Sequence, residues 1–332
     1  MQKVTVAIAG FGGVGRATAE LLLSRRARYR EVHGADVRLV AVCGSRAGLA
    51  GPQGLEAHQL TSLQEGLTGP EFIAQSQADI LIEAGPTNFR TGGPGLAYIE
   101  AALSAGRDTI VISKGALVYR GPHLRQIARQ TGALLKLSGA AAAALPTIDL
   151  LQTSLSGSSV LRLDGILNAT TNVLLEAMTV RGLGFDAALA EAQANGIAEA
   201  DPRNDIEGWD TACKLLLIAN FGLGATLTMA EVSVDGLHSL TPAQIDDWRA
   251  RSVVPKLVGS LTREKERFRA EVKIRTFPPD DPFARVSGKA KAIRIITDAM
   301  GETLAISDAP EPLATAAAAL KDLEQILAAR SA

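Results

Sequence analysis

The segment Gly10-Phe11-Gly12-Gly13-Val14-Gly15 constrains this chain more than any other, because of what flanks it. Residues 4–9 are a short, nearly continuous apolar run, the pattern of a strand covered on both faces. Residues 14–23 place apolar side chains at helical spacing. In a G-x-G-x-x-G sequence between strand and helix, the three glycines serve in turn a tight bend, close approach of backbone to a pyrophosphate, and close packing of helix on strand. The following helix start offers unpaired N–H groups and partial positive charge to phosphates. All six residues of the turn are therefore candidate cofactor contacts.

The alternation continues. Residues 37–43, 80–82 and 109–112 read as further buried strands, and residues 96–105 and 122–130 as helices, the first ending at Gly106. Residues 134–137 follow as another strand. Strand–helix alternation of this kind builds a parallel sheet with right-handed crossovers. The rhythm changes after Pro146, where helical stretches (147–154, 187–195, 210–221, 242–249) interleave with strands near 161–167, 253–261, 267–274 and 292–297. The expected fold class is α/β: a Rossmann-type domain over 1–137, with the alanine-rich C-terminal helix of 312–332 returning to it, and an α+β substrate and dimerisation domain over 138–311. Residues 48–54, rich in Gly and Pro, read as a surface loop.

Length and charge narrow the partner. A chain of 332 residues is long for one core, which favours two domains. Lys and Arg total 34 against 35 Asp and Glu, so there is no electrostatic footprint for nucleic acid or an anionic membrane, and a small molecule is the expected partner. The distant Cys43 and Cys213 suit a reducing compartment and read as small buried hydrophobes. Four scattered histidines form no zinc pattern. With no signal-peptide core and no apolar run of about 18 residues, a cytoplasmic location is expected.

A site specific for NAD carries Asp or Glu at the end of the second strand, to bond the ribose 2′-hydroxyl. Here that position reads Val42-Cys43-Gly44-Ser45-Arg46, without an acid, and Asp36 stands at the other end of the strand. Ser45 and Arg46 can receive a 2′-phosphate, so the expected cofactor is NADP, with NAD as the alternative. Arg46 as an ordinary solvated loop cation is an equal reading of the sequence alone.

Outside the turn the most informative stretch is Glu199-Ala-Asp201-Pro-Arg-Asn-Asp205-Ile-Glu207-Gly208-Trp-Asp210-Thr-Ala-Cys-Lys214. The ligand spacing of a calcium loop fails from Asp201 onward. Asp210 and Lys214 are four residues apart and share one helix face. An exposed pair of this kind would be worth a few tenths of a kcal/mol, roughly. The apolar run at 215–221 instead implies a buried helix whose mouth presents the pair to a cleft, where a lysine beside a carboxylate can exchange a proton with a substrate hydroxyl.

At these residues the chain resembles the homoserine dehydrogenases. The likeness runs through the glycine turn, Ser113-Lys114-Gly115-Ala116-Leu117, Ser138-Gly-Ala-Ala-Ala-Ala-Ala-Leu145-Pro146, Leu167-Asn168-Ala-Thr-Thr-Asn172, the whole Glu199-to-Lys214 stretch, Ser233-Val-Asp-Gly236, Pro255-Lys-Leu-Val-Gly259 and Ala292-Ile-Arg-Ile-Ile-Thr297. The resemblance implies interconversion of L-homoserine and L-aspartate 4-semialdehyde with NAD(P), a step of threonine and methionine biosynthesis, by a homodimer. It implies that Glu199 and Asp210 bind the ammonium or hydroxyl end of the substrate and that Lys214 gives the proton in aldehyde reduction. Lys114, between cofactor and substrate, is the second acid/base candidate. Thr87 and Gly196 would touch the cofactor. A sodium or potassium ion would sit on main-chain carbonyls of Ser138, Ala141, Ala143 and Leu145. The family's regulatory extension has no counterpart here, so feedback through it is not expected. The sequence departs from the family at Ala169, at Ser138, and at Ser307-Asp-Ala-Pro-Glu-Pro312, where a glycine-rich turn is usual. These departures keep open a related dehydrogenase for another small amino or hydroxy acid; an NADP-binding protein without turnover is a third reading, against which the retained Glu199, Asp210, Lys214 and Lys114 argue.

Overall fold

The computed structural model describes residues 1–331, which divide into two compact units: residues 1–144 with the C-terminal segment from 310, and residues 145–309. In the first unit a seven-stranded sheet is built from β1 (Gln2–Ala9), β2 (Ala35–Cys43), β3 (Ala47–Ala50), β4 (Gln64–Glu65), β5 (Ile80–Glu83), β6 (Asp108–Val111) and β7 (Leu135–Lys136), in spatial order 4-3-2-1-5-6-7. The run β2-β1-β5-β6-β7 is parallel throughout. Helices α1 (Gly13–Ser24), α2 (Arg26–His33), α3 (Pro70–Gln75), α4 (Gly93–Ser104), α5 (Gly115–Thr131) and α6 (Ser138–Ala142) connect or flank these strands.

β1 lies between β2 and β5, so the chain leaves it toward one side of the sheet and later returns to the other. Such a reversal opens a crevice beyond the C-terminal strand ends. Val6, Ala7, Ile8 and Ala9 are buried because both faces of β1 are covered. One cover is the C-terminal helix Leu313–Ser331, whose Ala319, Leu320, Leu323, Ile326 and Leu327 join the core formed by Val6, Ile8 and Leu22. Charge pairs tie the same helix down: Arg330 grips Asp108 in bidentate fashion at 2.6 and 3.0 Å, and Arg28 grips Glu324 at 2.8 Å.

Two details differ from the sequence reading. The stretch 48–54 is not wholly a loop, since Ala47–Ala50 forms β3, antiparallel to β2; a side chain at Gly48 would meet the Leu67 carbonyl at 2.2 Å, so glycine here serves strand packing. The boundary drawn by packing falls at 144/145, because Ser138 turns inward: its N–H and hydroxyl both donate to Asp322 of the C-terminal helix, at 2.9 and 2.6 Å.

The second unit carries a six-stranded sheet of β8 (Val160–Ile166), β9 (Val232–Val234), β10 (Val254–Glu264), β11 (Arg267–Phe277), β12 (Lys291–Thr297) and β13 (Glu302–Ser307), ordered 13-12-8-10-11-9. All its pairs are antiparallel except β11–β9. Helices α7 (Ala169–Val180), α8 (Phe185–Ala194), α9 (Arg203–Ile206), α10 (Trp209–Leu217) and α11 (Pro242–Ala250) complete it. Gly259 of β10 gives α10 its seat: a Cβ there would come within 3.1 Å of Thr211. No helix among the described residues is long and apolar enough to cross a membrane.

Candidate functional site

The glycine turn has the three separate geometries its spacing requires. Gly10 sits at φ +98°, and a Cβ on it would lie 2.3 Å from the Ala84 carbonyl carbon at the end of β5. A Cβ on Gly15 would lie 1.9 Å from the Gly10 carbonyl oxygen, so α1 can approach β1 this closely only through glycine. Gly12 and Gly13 face open space, with nothing within 4 Å of an added Cβ. That exposed backbone, at the start of a helix whose first N–H groups lack intrahelical partners, fits a pyrophosphate. Phe11 is buried beneath the turn, with the Arg16 guanidinium 4.8 Å from its ring. Val14 is half-buried on α1.

Around the turn stand the other cofactor candidates of the first unit. Ser45 and Arg46 are exposed in the tight turn between β2 and β3, where Gly44 N–H bonds the Ala47 carbonyl at 2.8 Å. The Arg46 side chain has no ion-pair or hydrogen-bond partner among the described residues, and no acid ends β2. Asp36, at the far end, is held by Arg30 and Arg38, whose hydrogen bonds lower its carboxyl below the ordinary range. Lys114 precedes α5, and its backbone N–H donates to Thr87 Oγ1 at 3.3 Å, bringing two predicted residues together.

Beneath them lies a carboxylate that sequence reasoning passed over. Glu83, 1% exposed, accepts the Ser113 hydroxyl at 2.6 Å and Gly85 N–H at 2.8 Å, and burial raises its pKa. It pins the loop that bears Thr87 to the loop that bears Lys114. Inside a strand written Ile-Leu-Ile-Glu, only its place at the strand end hinted at this.

In the second unit, Lys214 and Asp210 are nearly covered, with 11% and 13% of their side chains exposed, and Nζ lies 2.5 Å from Asp210 Oδ2. Nζ also donates to the Leu167 carbonyl at 2.8 Å. Gly208, at φ +89°, makes the turn that starts α10 and aims this face. Asn168, which ends the β8–α7 connection, donates its amide to Asp210 Oδ2 at 2.9 Å and to Asp205 Oδ1 at 2.7 Å. Thr170 Oγ1 fills the other Asp205 oxygen at 2.7 Å. Asn168, Thr170 and Asp205 are thus members of the cluster that sequence reasoning did not single out. The available signal was an Asn three residues ahead of a Thr at a helix start, a capping pattern.

Glu199 and Gly196 fall outside this cluster. Both are exposed, Gly196 at φ +64°, and the Glu199 carbonyl accepts from Gln193 at 3.1 Å. Asp201 is engaged by exposed Arg203, whose hydrogen bonds lower its pKa to about 2. Of the four residues read as carbonyl ligands for an alkali ion, Ser138 and Ala141 lie in α6. Ala143 follows at φ 56° and ψ −123°, which turns its carbonyl out of the helical run; Leu145 opens the second unit. No group of His, Cys, Asp and Glu among the described residues could hold a metal ion.

A parallel sheet whose central strand opens into this turn defines a dinucleotide-binding protein of the Rossmann class. Residues 10–137 match the family model described as homoserine dehydrogenase, NAD binding domain, and residues 146–323 match the homoserine dehydrogenase model. The chain belongs to the homoserine dehydrogenase family. It is 32% identical to the NAD(+)-dependent homoserine dehydrogenase of Pseudomonas canavaninivorans, covering 98% of this chain and 97% of that one. It is 29% identical to the homoserine dehydrogenase of Methanocaldococcus jannaschii, covering 97% and 98%. The crystal structure of a homoserine dehydrogenase from Thiobacillus denitrificans superposes with a TM-score of 0.86 at 26% identity, over 98% of this chain and 74% of that one.

Proposed function

We propose that the protein interconverts L-homoserine and L-aspartate 4-semialdehyde with NADP, as a cytoplasmic homodimer serving threonine and methionine biosynthesis. The observation that carries this reading is the covered Lys214–Asp210 pair, bridged by Asn168 to a second carboxylate. In oxidation the substrate hydroxyl must lose its proton as hydride departs, and in reduction the aldehyde oxygen must gain one. Lys214 is the group we assign to that proton, taken up by its neutral amine in oxidation and given back from its ammonium in reduction, with Asp210 holding the nitrogen in place. Asp210 and exposed Glu199 are assigned to the ammonium or hydroxyl end of the substrate, and the Asn168-bonded Asp205 adds negative charge on the same side. Lys114, steadied at its backbone by Thr87, is the second candidate for the proton.

The nicotinamide supplies the hydride chemistry when bound; the protein supplies orientation and charge. Gly12, Gly13 and Gly15, with Gly10, Phe11 and Val14, would form the pyrophosphate cradle, and Thr87 and Gly196 would add contacts. Unpartnered Arg46 and neighbouring Ser45, with no acid ending β2, favour a ribose 2′-phosphate and hence NADP over NAD. The Pseudomonas relative is NAD(+)-dependent, so rates with both cofactors decide this point. The out-turned Ala143 carbonyl supports a sodium or potassium ion held by main-chain oxygens there, with Ser138 and Ala141 as further donors.

Initial rates of L-homoserine oxidation with each cofactor test the proposal. Turnover with NADP+ preferred supports it. Equal or better catalysis with NAD+ removes the NADP assignment, and cofactor binding without turnover of homoserine removes the activity.

A further inference from the structure

The residue at the centre of the lysine site carries no charge. Asn168 is 5% exposed, and every polar atom of its side chain is engaged. Its Oδ1 accepts the Thr171 N–H at 2.9 Å, which caps α7. Its Nδ2 donates to Asp205 Oδ1 at 2.7 Å and to Asp210 Oδ2 at 2.9 Å. An amide nitrogen has two hydrogens, so one goes to each carboxylate. The Leu167 carbonyl, one residue earlier, accepts from Lys214 Nζ at 2.8 Å. Two successive residues at the β8–α7 junction therefore hold both members of the Asp210–Lys214 pair, while Thr171 fixes the amide that does so.

We propose that Asn168 is a positioning residue of the reaction: its amide keeps two like-charged carboxylates side by side and fixes the direction from which Asp210 meets Lys214. This rests on the function proposed above. Only a side chain that accepts at one end and donates twice at the other meets the geometry. Serine offers an acceptor for the helix start but a single donor. Aspartate offers the acceptor but no donor, and sets a third carboxylate against the first two. Both are as good as asparagine at a helix N-cap. A purely capping role is thus met by either replacement, and a positioning role by neither.

The experiment compares Asn168→Ser and Asn168→Asp with the wild-type protein for thermal unfolding, NADP binding, and kcat and KM for L-homoserine. The serine variant should unfold within a few degrees of wild type and the aspartate variant lower, because of its third carboxylate, and both should bind NADP within about twofold. Their kcat should fall roughly tenfold to a hundredfold, the scale of losing an aligned catalytic group by about 1 Å, with the aspartate variant the worse. Near wild-type kcat in either variant overturns the inference, because capping then suffices. Failure of both to fold also overturns it, since the contribution is then structural. A wild-type protein that does not turn over homoserine defeats the proposed function and this inference together, whereas an active wild type with active variants defeats the inference alone.

Discussion

Asp210 and Lys214 meet across one turn of α10 with 2.5 Å between carboxylate oxygen and ammonium nitrogen, and little of either side chain reaches solvent. An exposed pair at this spacing contributes about 0.3–0.5 kcal/mol; a covered pair costs several times more to break, because the survivor keeps an uncompensated charge. Lys214→Ala should therefore lower kcat by roughly 10²–10⁴, the usual worth of a positioned acid or base. Asp210→Asn should lower kcat and also cost on the order of 1–3 kcal/mol of stability. Steady-state kinetics with denaturant unfolding check both, and a Lys214→Ala enzyme of normal kcat moves the proton to Lys114.

The glycine turn separates binding from folding. Gly12→Ala adds a methyl to open space, so stability should hold within about 0.5 kcal/mol while NADP affinity drops. Gly15→Ala drives a methyl into the Gly10 carbonyl and should destabilise the first unit by about 1–3 kcal/mol. Isothermal titration and thermal unfolding of the two variants distinguish them. Equal loss of stability in both would contradict the assignment of the open backbone to phosphate.

Arg46→Ala should raise KM for NADP by about tenfold, the worth of one charge-assisted hydrogen bond, and leave KM for NAD nearly unchanged. A parallel change with both cofactors would mean that Arg46 does not touch a 2′-phosphate.

Lys256 gives a pH prediction. It is 3% exposed and donates to Asn172 Oδ1 at 2.7 Å and to the Val286 carbonyl. Burial lowers its pKa from 10.5 to about 8, with Glu176 opposing the shift. Between those values the unfolded chain holds the proton and the folded chain does not, so stability rises with pH through that window, by up to about 1.4 kcal/mol per unit. Denaturant midpoints measured from neutral pH upward should show this rise in wild type and not in Lys256→Met. The same slope in both would contradict it.

The parallel sheet was legible in the sequence because its buried strands are short apolar runs, unbroken at 80–82 and interrupted only by Arg38 at 37–43, and most of the breaks between elements carry glycine. Short or polar elements were not. β3 is four residues long and was hidden in a Gly/Pro stretch, and α7 begins in a Thr-rich segment whose cap, Asn168, accepts from the Thr171 backbone N–H, a donor that every residue there carries. The pairing of Lys214 with Asp210 was legible from their spacing, since four residues make one helical face, and its cover from the apolar run at 215–221. The link from Asp210 to Asp205 runs through a residue about 40 positions away in sequence, and no local pattern encodes such a contact. Glu83 was missed for the same reason: its partner Ser113 follows the next strand of the sheet.

The most direct test is to follow reduced nicotinamide formation from L-homoserine and NADP+ with wild type and Lys214→Ala side by side, while measuring NADP binding to each. Turnover by wild type, its near loss in the variant, and equal cofactor affinity in the two are the expected results. No turnover of homoserine by a wild-type protein that binds NADP, or undiminished turnover by the variant, would contradict the assignment of Lys214 to the substrate proton.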